Sequence, residues 1–131
     1  MNTTVLRYAV VKLFVRNDLP KDDHDLKIPM QQNIQYQLEG SSPKDTYRGL
    51  LSLHALEKKD DSKPRFELEV QIEILFRVDS DQNIEIKELH GNTLVEFLPY
   101  LSSYVGLLSA LTGFPPMVVK KPDLNSPNHN E

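Results

Sequence analysis

The chain has 131 residues, a formal net charge of −4 and no cysteine. That is one domain's length; the missing cysteines exclude disulfides, thiol nucleophiles and Cys-ligated metal centres, and the acidic balance has the wrong sign for general nucleic-acid binding. The opening MNTTVLRYAVVKLFV lacks the basic region and cleavage site of a secretory signal, so a cytoplasmic location is expected, with no apolar run reaching the roughly 18–20 residues of a membrane span.

Val5 to Arg16 reads as a strand, with Val5, Ala9, Val11, Leu13 and Val15 expected on one face and Leu6, Tyr8, Val10 and Phe14 on the other. Apolar side chains on both faces imply cover on both faces. Asn17 to Lys27 is an acidic loop broken by Pro20. Ile34, Tyr36 and Leu38 alternate with Gln35, Gln37 and Glu39, a short half-buried strand. Gly40 to Asp45 is a turn or crossover, Tyr47 to Glu57 a third strand, and Lys58 to Pro64 a charged hairpin loop. In the fourth strand, Phe66 to Phe76, Phe66, Leu68, Val70, Ile72, Ile74 and Phe76 face one way, and Glu67, Glu69, Gln71 and Glu73 the other. A period of two with one polar side implies one wet face. Asp79 to Asn83 is a turn, and Ile84 to Leu89 a short strand or the lead into a helix.

The helix is expected from Thr93. Leu94, Phe97, Leu98, Leu101, Tyr104, Val105, Leu108 and Leu111 fall at helical spacing. Thr93 and Glu96 fit a capping box, and Gly113, Pro115 and Pro116 a stop. Pro99 predicts a kink or a fresh helix start. Off the stripe stand Val95, Tyr100, Leu107 and Ala110, where a small monomer carries charge. Met117 to Val119 is expected to pack down; residues 1–119 form one domain and 120–131 a polar, disordered tail.

No catalytic, cofactor or metal constellation stands out. His24, His54, His90 and His129 hold no helical metal spacing, and His54 reads as a partly buried, hydrogen-bonded strand residue. Asp79, Asp81 and Asn83 imitate the start of a calcium loop, but Ile84 and His90 stand where a glycine and a bidentate glutamate are needed. The acidic cluster Asp22, Asp23 and Asp25 reads as a solvated loop, with docking of a basic partner as the alternative. What exceeds the needs of one small core is apolar surface: the first strand, the helix, and the aromatic set Tyr36, Tyr47, Tyr100, Tyr104 and Phe114. Two readings stay open, a homo-oligomer interface alone or an oligomer with a groove for extended apolar peptide.

Over FLPYLSSYVGLLSALTGFPPMVV the chain resembles the SecB export-chaperone family. Phe97, Leu98, Pro99 and Tyr100 stand where the family has an apolar-apolar-Pro-Tyr run, Gly113, Phe114 and Pro115 in its closing Phe-Pro part, and Met117 and Val119 in the alternation after it. The resemblance implies an α+β fold, a four-stranded antiparallel sheet with helix packed on one face, and assembly as a dimer of dimers. It implies ATP-independent holding of non-native polypeptide in an apolar groove, with SecA as a partner in export. Carried over residue by residue, Ile34, Tyr36, Leu38, Tyr47, Phe114 and Met117 are the expected client-binding set, so Tyr36→Glu is expected to weaken holding. Val5, Val11, Leu101, Tyr104 and Leu108 are the expected subunit interface. Ser102 replaces the family arginine, and the tail KKPDLNSPNHNE lacks the apolar ending that engages SecA. Export, antitoxin-dedicated and phage-associated roles therefore stay open, as does an interaction protein with no chaperone activity.

Overall fold

The computed structural model describes residues 2–18, 30–42, 44–57, 63–79, 84–112 and 119. Four strands, β1 (Asn2–Asn17), β2 (Met30–Ser41), β3 (Thr46–Glu57) and β4 (Phe66–Asp79), precede one helix, α1 (Ile86–Thr112). The sheet is antiparallel throughout, in the order β1-β4-β3-β2. This is the α+β architecture expected from the sequence, and it leaves β1 and β2 as its edges.

The alternation in β4 sets the layers. Leu68, Val70, Ile72, Ile74 and Phe76 are fully buried, and Leu51, Leu53 and Ala55 of β3 lie beside them on the same face. Against that face packs α1, through Leu89, Leu94, Phe97, Leu101 and Val105. Five positions at steps of three to five residues make one helical stripe, which is why a single helix covers the sheet. At 1.5 Å per residue its 27 residues span about 40 Å. Its first turns sit on β2, where Thr93 meets Tyr36, and its middle reaches β1, where Tyr100 meets Tyr8.

The opposite face is held by charge. Glu73 of β4 is reached by Arg7 of β1 at 3.3 Å and by Arg48 of β3 at 2.8 Å, and Arg48 also meets Glu39 of β2 at 2.6 Å. The chain Arg7–Glu73–Arg48–Glu39 thus crosses all four strands. Arg48 chiefly, and Arg7, hold the Glu73 carboxyl below the usual carboxylate range, and Lys12 does the same for Glu69 at 2.6 Å. His54, half-buried as expected, meets Glu67 at 2.7 Å. At one end of the sheet, Glu57 is 2% exposed and takes a two-pronged bond from Arg65, Nη2 to Oε2 at 2.6 Å and Nε to Oε1 at 3.1 Å.

Several sequence expectations are corrected in whole or in part. The faces of β1 are not set by plain alternation, because the register shifts between Val5 and Arg7 and again between Val10 and Lys12. Each shift is a bulge, one extra residue on β1. The helix side is therefore formed by Val5, Tyr8, Val10, Leu13 and Val15, opposite Phe76, Ile74, Ile72, Val70 and Leu68. The helix begins at Ile86 and not at Thr93, with the Glu85 carbonyl accepting from the Leu89 N–H at 3.0 Å; of the two expectations for Ile84 to Leu89, the lead into the helix holds and the strand does not. Thr93 is then an interior residue, and its hydroxyl donates to the Leu89 carbonyl at 2.7 Å. Of the kink or fresh start expected at Pro99, the fresh start is excluded, since α1 runs through Pro99 to Thr112. The sequence also understated α1, which is long and apolar enough, by length and composition, to cross a membrane; in this fold its stripe is spent on the sheet. The expected tail and the segment with Gly113, Pro115 and Pro116 lie outside the described residues.

Candidate functional site

The apolar surplus lies along β1 and the exposed side of α1. Leu6, Tyr8, Val10, Val11, Leu13 and Phe14 are between 38% and 53% exposed, and Val95, Leu107 and Leu111 of the helix between 41% and 72%. Tyr8, Val10 and Leu13 stand on the helix side of β1, and Phe14, opposite Glu69, on the charged side; so many exposed apolar side chains mark an interaction surface. It arises because β1 is an edge strand and α1 covers only part of it. The bulges add to the patch by turning out Leu6 and Val11, the two residues left over in the ladder.

Two clefts shape this surface. In the first, of about 230 Å³, Tyr8 of β1 faces Tyr100, Ser103, Tyr104 and Leu107 of α1. The Tyr8 ring lies 5.2 Å from that of Tyr100 and 6.5 Å from that of Tyr104. The second, of about 530 Å³, is lined by Val95, Leu98, Pro99, Ser102, Ser103 and Val119. Ser103 borders both, so one ridge of α1 separates them. Pro99 carries no N–H, so the Val95 carbonyl at the second cleft lacks its helical donor. Such walls, mostly apolar with a few polar groups, suit a hydrophobic side chain with its attached main chain. Among the described residues no group of three or more His, Asp or Glu side chains is placed to hold a metal ion.

The residues expected to bind clients separate into three groups. Tyr36 is 1% exposed, under α1, and offers no surface to another chain. Its hydroxyl donates to Thr93 Oγ1 at 2.7 Å, since the Thr93 proton is engaged by Leu89. His90 Nε2 donates to the Tyr36 carbonyl at 2.8 Å, and the His90 ring lies 4.8 Å from the phenol. Burial, chiefly, pushes the Tyr36 phenol up to about 12. Tyr36 is thus a core residue that locks α1 to β2, and Tyr36→Glu would break the core instead of testing a groove. Ile34 and Leu38 share its face but stay half-buried, and Tyr47 is half-buried at 5.7 Å from Phe76. Phe114 and Met117 lie outside the described residues.

The expected interface set divides as well. Val11 is 49% exposed, Val5, Tyr104 and Leu108 are half-buried, and Leu101 is fully buried with nothing to offer a partner. Sequence reasoning left Tyr8, Leu13, Tyr100 and Leu107 out of its site. Tyr100 and Leu107 were legible as apolar residues off the helix stripe, and Leu13 was expected on the face of Val5 and Val15, where it lies; Tyr8 was not legible, because the first bulge brings it to the helix side.

No protein-family model and no curated protein sequence matches the chain. Solved structures do. The Mycobacterium tuberculosis SecB-like chaperone Rv1957, in complex with a ChAD peptide from the Rv1956 HigA1 antitoxin, superposes with a TM-score of 0.66 at 12% identity, over 92% of this chain and 91% of that one. A Streptococcus agalactiae protein of unknown function matches with a TM-score of 0.49 at 10% identity, over 92% and 98%. The fold of this chain is SecB-like, as the resemblance over Phe97 to Val119 implied.

Proposed function

We propose that this protein is an ATP-independent chaperone that holds non-native polypeptide on the apolar surface around α1, and that its copies assemble through β1. One observation carries the reading: ten large apolar side chains, Ile86 included, stand exposed along one strand and one helix, and clefts open at Tyr8 and Pro99. Capture would be driven by removing apolar client surface from water, at roughly 25 cal/mol per Å². Many shallow contacts without a polar template give broad selectivity. A SecB-like neighbour solved with a peptide supports polypeptide as the ligand class. Clients dedicated to an antitoxin or a phage protein fit this surface as well as export clients do. The reading places the protein in the cytoplasm, as neither an enzyme nor a nucleic-acid binder, with SecA an optional partner.

The second reading, favoured by the same patch, is that all of it is subunit interface. The deciding measurement is light scattering of an unrelated, chemically denatured protein diluted into buffer with and without this protein. Suppressed aggregation without nucleotide supports the chaperone. Unchanged scattering alongside a stable oligomer leaves the interface reading alone standing.

A further inference from the structure

The two edges of the sheet are built differently. β1 carries two bulges and the cations Arg7, Lys12 and Arg16, devices that keep an edge strand from pairing at random. β2 carries neither over most of its length. Its ladder with β3 is unbroken from Met30↔Glu57 to Ser41↔Thr46. From Met30 to Leu38 it has no charged residue, no proline and no glycine. One face shows a row of exposed amides, Gln31, Asn33, Gln35 and Gln37. The other shows Ile34 and Leu38, half-buried on either side of Tyr36. Among the described residues no strand pairs with its outer side.

Resting on the chaperone reading above, we propose that β2 takes an extended, uncharged segment of a client polypeptide as a fifth strand. The outer N–H and C=O groups of a flat strand are complemented in full only by another extended main chain. The two rows select its side chains by side. Alternate residues that are apolar continue the Ile34–Leu38 row, and the intervening residues, hydroxyl or amide, lie against the glutamines. A neutral edge opposes no like charge in such a segment. A second copy of this chain is the weaker occupant: if copies already join through β1, joining through β2 as well strings subunits together without closing a ring or dimer.

The test is fluorescence anisotropy with a short labelled peptide alternating valine with asparagine or threonine. Two further versions are N-methylated on one or the other set of alternate residues, since only one set points its N–H groups at β2. Affinity is expected to fall at least tenfold for one methylated version and for a composition-matched scramble, and to survive in the other. Asn33→Lys combined with Gln37→Lys, checked for native circular dichroism, is expected to weaken the neutral peptide. The same variant should strengthen a version with glutamate at the polar positions. Equal binding of both methylated peptides overturns the proposal. So does a Gln35→Cys variant, in a chain with no other thiol, that self-crosslinks and is not displaced by peptide. If the peptide results fail while the wild type still suppresses aggregation, this inference falls and the chaperone reading stands; if suppression is absent too, both fall.

Discussion

The ring of Tyr36 lies over Gly49 on the neighbouring strand so closely that a Cβ at position 49 would stand 2.8 Å from the phenol oxygen and 2.9 Å from Cε1. Tyr36 is fixed from above by Thr93 and cannot swing away. Gly49→Ala should therefore cost about 1–3 kcal/mol through overpacking. Urea unfolding with an unchanged slope and a lower midpoint is the expected result.

The same tyrosine sets an alkaline limit. Its phenol ionises near 10 in the unfolded chain and is pushed up to about 12 in the fold. A group raised in this way leaves stability intact below pH 10. It then removes stability as the pH climbs from 10 to 12, by roughly 2–3 kcal/mol in all. Tyr36→Phe should start less stable by about 1 kcal/mol for the lost hydrogen bond but show a flatter decline over that interval. Chemical denaturation at a series of pH values separates the two curves.

Glu57 and Arg65 make the most buried ion pair described, with Glu57 at 2% exposure. Arg65→Ala takes the guanidinium from the buried Glu57 carboxylate, which keeps the residue-65 N–H at 3.0 Å, and should cost about 3 kcal/mol. Adding Glu57→Gln to Arg65→Ala should recover part of that loss, because the remaining group is neutral. Midpoints of the four proteins in a double-mutant cycle give the coupling.

Thr46 is 3% exposed, and its hydroxyl finds no partner. Thr46→Val keeps the shape and removes an unpaired polar atom, so a gain of about 1 kcal/mol is expected. A rise in Tm by differential scanning calorimetry would record it.

Leu13 is 53% exposed on the helix side of β1. Leu13→Asp should leave the subunit folded, because little of the side chain is buried, and should dissociate the assembly proposed to form through β1. Sedimentation velocity would show a smaller species with an unchanged far-ultraviolet spectrum; an unaltered coefficient removes β1 from the interface.

How far the sequence carried depended on what period two can report. β3 and β4 were legible because one row of each is apolar and the other polar, as in Leu68, Val70 and Ile72 against Glu67, Glu69 and Gln71. β1 was misread only between its bulges, from Arg7 to Val11, because the first bulge flips the alternation and the second restores it for Leu13 to Val15; side chains apolar on both faces give no contrast by which to notice. Tyr36 was assigned to a groove by carry-over from the family resemblance, and alternation could not correct this, because it names a residue's face and is silent on what covers it. Thr93 was read as a cap because Thr-x-x-Glu is also what an interior helix turn can carry; Leu89 and His90, packed on β2, show that the helix had already begun. Parts of the candidate site legible as apolar excess were Tyr100 and Leu107. Their meeting with Tyr8 depends on the strand order β1-β4-β3-β2, which no local pattern encodes.

Leu6 and Val11 are surplus to the β1 ladder, since Val5 and Arg7 oppose consecutive residues of β4, and so do Val10 and Lys12. Excising both would keep every other side chain on its present side and yield a regular strand. The shortened protein would then own two straight borders instead of one, each able to template the next molecule. Beyond exposing apolar side chains, Leu6 and Val11 thus keep the β1 border from templating a growing fibril.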